Sequence, residues 1–184
     1  MKLTTERLIL REPIMKDAKD LVKILNSINI SENFRTIPYP YTLKMAKSWI
    51  KNCIKDTKEK PRKSYSFVIE LKPQKVILGA VGLAYVNKYE EIAGLWYWLS
   101  KNYWRQGITF EASSSVLDFA FNKIRLRRIN ASAFGDNESS NNLLKKLGFK
   151  YEGTRIKNMR AKSNGKIHDE NIYGLLREDY VKKR

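Results

Sequence analysis

Between Ala93 and Ala112 the sequence AGLWYWLSKNYWRQGITFEA passes from an aromatic, β-rich run into a helical one through a turn that contains Gly107. A strand that gives way to a helix at a glycine gathers free backbone N–H groups and the positive end of a helix dipole at one point. That is the chemistry of an anion cradle. Glycine lets an anion approach bare backbone, and Arg105 adds a formal charge at the same turn. One glycine is a weak signal, because a plain strand-to-helix connection has the same composition. Further along, Asp136-Asn137-Glu138-Ser139 has the residue types that cap a helix N-terminus. The remaining reactive types are few. Cys53 falls on an apolar helical stripe and reads as a buried small hydrophobe. His168 is the only histidine, so no His-based metal cluster can form and no metal site is expected.

The elements that must position these residues follow from periodicity. Leu3 to Arg11 is β-compatible and stops at Pro13, giving a first strand. Ala18, Leu21, Val22, Leu25 and Ile28 recur at helical spacing, as do Ala46, Trp49, Ile50, Cys53 and Ile54. The connection between these helices, Ser31 to Thr42, holds two prolines and the aromatics Phe34, Tyr39 and Tyr41. Three strands are predicted next, around Tyr65 to Leu71, Val76 to Tyr85 and Ala93 to Leu99; alternation puts Trp96 and Trp98 on one face of the last, the only face of theirs that could line a substrate pocket. A helix opens after Gly107 and runs to Ile124, a strand covers Arg128 to Phe134, and a helix from Ser139 to Leu147 ends at Gly148 as at a C-terminal cap. Strands near Lys150 to Ile156 and Asn171 to Leu176 complete the order β-α-α-β-β-β-α-β-α-β-β, an α/β mixed sheet with helices on its faces.

Composition narrows the class. With 184 residues, 42% hydrophobic and 11% aromatic, the chain is expected to form a single domain over 1–184 with a real core, which excludes wholesale disorder. No apolar run approaches the ~20 residues that span a bilayer, so no membrane partner is expected. The first residues lack the apolar segment of a secretory signal, and one cysteine allows no internal disulfide, which together point to the cytoplasm. The excess of 36 basic over 19 acidic side chains, +17, fits a nucleic-acid surface, a ribosome-associated protein or a site for a polyanionic cofactor. The basic stretch Lys55 to Lys63 reads as a solvated helix end, and Val181 to Arg184 as a short frayed tail.

Several segments in this order resemble one family. Thr5-Glu6-Arg7-Leu8-Ile9-Leu10-Arg11, Tyr97-Trp98-Leu99, Tyr103-Trp104-Arg105-Gln106-Gly107-Ile108, Asn137-Glu138-Ser139-Ser140, Lys146-Leu147-Gly148-Phe149 and Tyr173-Gly174-Leu175-Leu176 together resemble the GNAT superfamily of acyl-CoA-dependent N-acyltransferases. The branch they are most similar to is that of the ribosomal-protein-serine/alanine N-acetyltransferases. The resemblance implies a GNAT fold and acetyl-CoA as cosubstrate. It implies that the family's pyrophosphate turn, Gln/Arg-x-x-Gly-x-Gly/Ala, falls on Trp104, Arg105, Gln106, Gly107, Ile108 and Thr109. Trp104 and Thr109 depart from that pattern, and Thr109 brings either bulk or a donating hydroxyl to the phosphates. It implies that Tyr97, Trp98 and Leu99 pair through their backbone with the pantetheine arm as a further strand would. Asn137 would position that arm, and Ser140 would protonate the leaving thiolate, since Leu144 stands where other branches place a tyrosine.

The branch's usual carboxylates are absent: Gly94 and Met159 occupy their positions. Glu90, Glu91, Glu111, His168 and Asp169 remain as base candidates, each more simply a solvated surface residue. A weak base suffices for one kind of acceptor. A protein α-amine with a pKa of about 7.7–8.0 is already roughly a tenth neutral at pH 7, while a lysine near 10.4 is neutral only a few times in ten thousand. The expectation is therefore transfer of acetyl from acetyl-CoA to a protein N-terminus, ribosomal proteins included, by direct attack in a ternary complex. The rivals are an acyl-CoA-binding domain with little catalysis and a basic RNA-binding protein without enzymatic role. A homodimer is compatible with either.

Overall fold

The computed structural model describes residues 1–182 as one eight-stranded mixed sheet with helices on both faces. The strands are β1 (Lys2–Thr4), β2 (Leu8–Arg11), β3 (Tyr65–Leu71), β4 (Val76–Asn87), β5 (Ile92–Leu99), β6 (Arg128–Phe134), β7 (Lys150–Arg160) and β8 (Ile167–Leu176). They lie in the order β1-β2-β3-β4-β5-β6-β8-β7. Every neighbouring pair is antiparallel except β5 and β6. The principal helices are α1 (Ala18–Leu25), α2 (Ile28–Ser31), α3 (Leu43–Asp56), α4 (Ile108–Asp118), α5 (Glu138–Leu147) and α6 (Arg177–Lys182). After Asp118, α4 widens into a π-type segment to Ile124, whose Phe119 ring packs edge-on against Tyr65 and Phe67.

The expected order holds, with corrections at the ends of elements. The anticipated single strand from Leu3 to Arg11 is two strands folded on each other, with Leu3 opposite Leu10. Thr5 causes the break: its hydroxyl accepts the Leu8 N–H at 3.0 Å, a local bond that competes with the ladder. The final hairpin is longer than its pattern suggests, because β7 is an exposed edge strand and carries no buried alternation to read. Val181 and Lys182 end α6 instead of fraying, while Lys183 and Arg184 lie outside the described residues.

Two apolar clusters sandwich the sheet. Ala18, Leu21 and Leu25 of α1 and Ala46 and Ile50 of α3 cover Val68, Ala80 and Trp98 on one face. Ile108, Ala112 and Val116 of α4 and Leu144 and Leu147 of α5 cover Phe67, Val81, Leu95, Ile129 and Tyr173 on the other. Cys53 is buried in α3, as expected, and burial pushes its thiol up to about 11. β5 is seated by a close approach: Gly82 stands opposite Trp96, where a Cβ would meet the indole at 2.6 Å. That indole in turn meets Trp49 of α3 edge-to-face, centroids 6.3 Å apart. The tryptophan face therefore packs toward the α1–α3 layer.

Candidate functional site

The sheet divides within itself. β5 and β6 pair only through Ile92–Arg128, Ala93–Ile129 and Gly94–Asn130. Beyond Gly94, β5 keeps its bonds to β4 as far as Leu99, whereas β6 runs on to Phe134 bonded to β8. From Leu95 onward the edge of β5 that faced β6 is therefore without a strand, and its ladder groups can pair with an extended ligand. The side chains of Leu95, Tyr97 and Leu99 share the α4–α5 side by alternation, with Trp96 and Trp98 opposite. The indole Nε1 of Trp104 donates to the Leu99 carbonyl at 2.9 Å and occupies that acceptor.

At the end of β5 the chain reaches the glycine turn. Gly107 caps α4 with φ 74° and ψ 1°, a left-handed conformation that a β-branched residue resists. The first bond of the helix runs from the Glu111 N–H to the Gly107 carbonyl, 3.0 Å. The N–H groups of Ile108, Thr109 and Phe110 precede it and have no intrahelical acceptor. Arg105 is exposed and also left-handed, φ 60°; the Gln106 side chain donates to the Asn102 carbonyl at 3.0 Å. Ile108 is buried and Thr109 is half-buried. A groove of about 790 Å³ runs from this turn between Thr4–Arg7, α4 and Lys146.

Sequence reasoning missed how this turn is braced. Arg7 donates to the Gln106 carbonyl at 3.1 Å and to Glu111 at 2.6 Å. Glu111 also accepts from the Thr5 hydroxyl at 2.5 Å and the Arg7 N–H at 3.0 Å. Burial pushes the Glu111 carboxyl up, but the bonds from Thr5 and Arg7 outweigh it and hold the group below the usual range. Glu111 is thus a tether between the β1–β2 turn and α4, not a solvated surface acid, and it is unsuited to accept a proton. The spacing of Thr5, Arg7 and Glu111 along the chain carries no signal of this contact.

Across the opening stands the start of α5. The Asn137 side-chain oxygen accepts the Ser140 N–H at 3.1 Å, so Asn137 is the cap. The Ser140 hydroxyl is not used for capping. It lies 2.7 Å from the Tyr97 hydroxyl, joining α5 to β5 across the gap. Burial pushes the Tyr97 phenol up to about 12, against a smaller lowering by the Ser140 bond, so both hydroxyls keep their protons at neutral pH. Asn141 fixes the helix from behind. Its amide donates to the Phe134 and Asn137 carbonyls at 3.0 and 2.7 Å, and its oxygen accepts from Asn171 and Tyr173 at 2.9 and 2.7 Å. Leu144 is buried in the core.

The base candidates scatter. Glu90 and Glu91 are exposed before β5, with Glu90 against Arg127 at 3.6 Å, at the end of β5 where it still pairs with β6. His168 is buried, contrary to expectation: its ring stacks on Phe134 at 4.1 Å, and Nδ1 lies 2.8 Å from Asp136. Burial raises the Asp136 carboxyl, but bonds from Lys166 and His168 prevail and lower it. Asp169 accepts the Lys157 N–H at 2.7 Å. Two buried acids escaped the sequence reading altogether, Asp17, which is bonded to Arg11, and Glu170 on β8. No group of three or more His, Cys, Asp or Glu side chains suited to a metal ion occurs among the described residues.

The site thus offers bare amides for an anion, a free strand edge for an extended arm, and a protonated hydroxyl pair beside that edge. Comparisons with known proteins bear on the family and the fold. Residues 7–150 match the family model described as "Acetyltransferase (GNAT) domain". The N-acetyltransferase YoaA of Bacillus subtilis is 29% identical over 175 residues, covering 95% of this chain and 96% of its own. Among solved structures, RimL, the ribosomal L7/L12 alpha-N-protein acetyltransferase in complex with coenzyme A, superposes with a TM-score of 0.85 at 17% identity over 96% of this chain and 98% of its own. A ribosomal-protein-S5-alanine acetyltransferase from Vibrio fischeri gives 0.80 at 21% identity, with 98% of each chain covered.

Proposed function

The chain belongs to the acetyltransferase (GNAT) domain family, and from that premise we propose that it transfers the acetyl group of acetyl-CoA to the N-terminal α-amine of a protein, ribosomal proteins foremost. It is an N-acetyltransferase with acetyl-CoA as its cosubstrate. Family membership overturns the alternative of an RNA-binding protein without enzymatic role. No helix among the described residues is long and apolar enough to cross a membrane, and our reading locates the reaction in the cytoplasm.

The observation that carries the mechanism is the 2.7 Å contact between Ser140 and Tyr97 beside the open edge of β5. In our reading the amides of Ile108, Thr109 and Phe110 receive the pyrophosphate, with Gly107 allowing close approach and Arg105 and Gln106 on its rim. The N–H and C=O of Tyr97, which face the gap, pair with the pantetheine arm; those of Trp98 are turned to β4 and the Leu99 carbonyl is bonded to Trp104, so the share of these two residues is packing. Asn137 holds the start of α5 in place. The amine attacks the thioester carbonyl, and the sulfur departs with a proton from Ser140, which Tyr97 can replenish.

The acceptor assignment is supported by three arguments. With Gly94 and Met159 lacking carboxylates, an amine already partly neutral at pH 7 is favoured over lysine or a polyamine. A net charge of +17 also repels polycationic acceptors. RimL, similar in fold, is described as acting on the α-amine of a ribosomal protein. The test is mass spectrometry of N-terminal peptides and intact ribosomal proteins incubated with acetyl-CoA. Acetylation at the α-amine is the expected result, and modification confined to lysine side chains or polyamines would refute the acceptor class.

A further inference from the structure

We propose that Glu170 is the residue that receives the acceptor's ammonium group and takes its proton, an inference that rests on the N-terminal acetyltransferase reading and adds one carboxylate, away from the branch's usual positions, for the fraction of α-amine still protonated at pH 7. The argument begins with which way the side chain points. β6 and β8 pair without interruption from Arg128–Leu176 to Phe134–Glu170. Tyr173 and Leu175 belong to the core under α4 and α5, so alternation puts Glu170 on the opposite face. The α1–α3 cluster on that face covers residues of β3, β4 and β5 and includes none from β6 or β8. Glu170 therefore stands on the side of the divided sheet away from α4 and α5, at the level of Phe134, beyond the last β5–β6 pair at Gly94–Asn130.

The carboxylate is held in a way that leaves one oxygen free. Asn158 donates to Oε2 at 2.6 Å, and Arg155 reaches the same atom at 3.4 Å. Oε1 takes part in neither contact. Asn158 arrives there through an irregularity in β7, whose pairing with β8 is interrupted between Arg155 and Met159, with Lys157 forced to φ 50°. A strained, non-glycine backbone that folds an amide over a buried acid is a costly arrangement for a residue with only a structural task. The other buried or braced acids are spent: Glu111 on Thr5 and Arg7, Asp136 on Lys166 and His168, and Glu70 and Asp17 on Arg11. Glu32, at the end of α2, is one half-buried competitor; Glu12, Asp56, Glu59, Asp118, Asp169 and Asp179 are half-buried as well.

The proton balance closes. The ammonium loses one proton to Oε1, and its freed lone pair forms the C–N bond as the thioester carbonyl becomes an oxyanion. Collapse restores the carbonyl and breaks the C–S bond; the sulfur gains a proton from Ser140, and the nitrogen's second proton restores that hydroxyl through the Ser140–Tyr97 pair. One proton per turnover leaves from Glu170 to solvent.

Steady-state kinetics on an N-terminal peptide, with released thiol as the signal, test the assignment. Glu170→Gln is expected to lower kcat/KM by about 10²–10³-fold, to leave acetyl-CoA affinity by calorimetry unchanged, and to regain activity as pH rises toward the pKa of the amine. Glu170→Ala is expected to be rescued in part by added sodium formate, a result that a misfolded variant would not give. Glu170→Gln within threefold of wild type, absence of formate rescue in a folded Glu170→Ala protein, or an equal loss on Glu32→Gln would overturn the proposal. Wild-type protein inert toward every α-amine would instead overturn the reading beneath it.

Discussion

Replacing Ser140 by alanine separates catalysis from folding because the structure gives the residue two distinct attachments. Its N–H is held by Asn137 at 3.1 Å, a bond that alanine keeps. Its hydroxyl contacts Tyr97 at 2.7 Å, a bond that alanine loses. One net hydrogen bond is worth about 0.5–1.5 kcal/mol, which lowers Tm by roughly 2–4 °C for each kcal/mol in a chain of this size. A positioned proton donor contributes about 10²–10⁴ in rate, or roughly 3–5 kcal/mol at ~1.36 kcal/mol per decade. Ser140→Ala should therefore melt a few degrees lower yet lose at least about 100-fold in kcat, with acetyl-CoA affinity intact. Tyr97→Phe should lose less, because Ser140 still faces the sulfur, and the double variant should be no worse than Ser140→Ala. Thiol release under saturating substrates and calorimetric binding measure these quantities. A turnover number within a fewfold of wild type in folded Ser140→Ala would refute the donor role and leave the contact as a strut between α5 and β5.

Three further outcomes are expected. Gly107→Val forces a β-branched residue to φ 74°, so it should cost about 1–2 kcal/mol in stability and weaken acetyl-CoA binding at least tenfold; unchanged affinity by calorimetry in a folded variant would sink the cradle assignment. Because the folded Glu111 carboxyl lies below its unfolded value of about 4.3, its contribution is present above that pH and is lost as pH falls through the folded value. Wild type should then exceed Glu111→Gln in Tm near neutrality and converge with it once the pH has fallen below the lowered folded value, and a gap that persists in strong acid would contradict the tether. Acetylation of an RNA-bound ribosomal protein should slow with salt more than that of a free peptide, since the Debye length falls from ~30 Å at 0.01 M to ~8 Å at 0.15 M; equal salt dependence would remove the ribosome from the account.

What could be read from the chain was what local periodicity and local chemistry control. The turn at Gly107, the cap at Asn137 and the stop at Gly148 each depend on neighbours within a few residues, and all three stand where expected. Residues that meet across long stretches of chain were invisible. Thr5, Arg7 and Glu111 touch only because β1 and β2 lie against α4, and nothing near any of them announces it. Ser140 was legible as a proton donor and Tyr97 as backbone for the pantetheine arm only through the family resemblance, and the contact between their hydroxyls, across 43 residues of chain, was not legible at all. Glu170 and His168 were lost for a related reason. They lie in a hairpin whose outer strand is exposed and polar, so alternation, the signal that marks a buried position, was missing on one side.

The parting of β5 from β6 has a consequence for how the molecule comes undone. Backbone bonding across that seam is confined to the stretch Glu91 to Gly94, so the meander β1 to β5 and the trio β6, β8, β7 are joined chiefly by the side-chain core beneath α4 and α5. Such segments open as separate cooperative units in native-state hydrogen exchange. The amides of Leu95 to Trp98 that face the gap should exchange early in the empty protein. A molecule lying along the gap would stitch the two units together and raise the cost of opening by about 2.7 kcal/mol at a hundred times its dissociation constant. The same cleft that admits acetyl-CoA would then make the enzyme's resistance to proteolysis follow the supply of its cosubstrate.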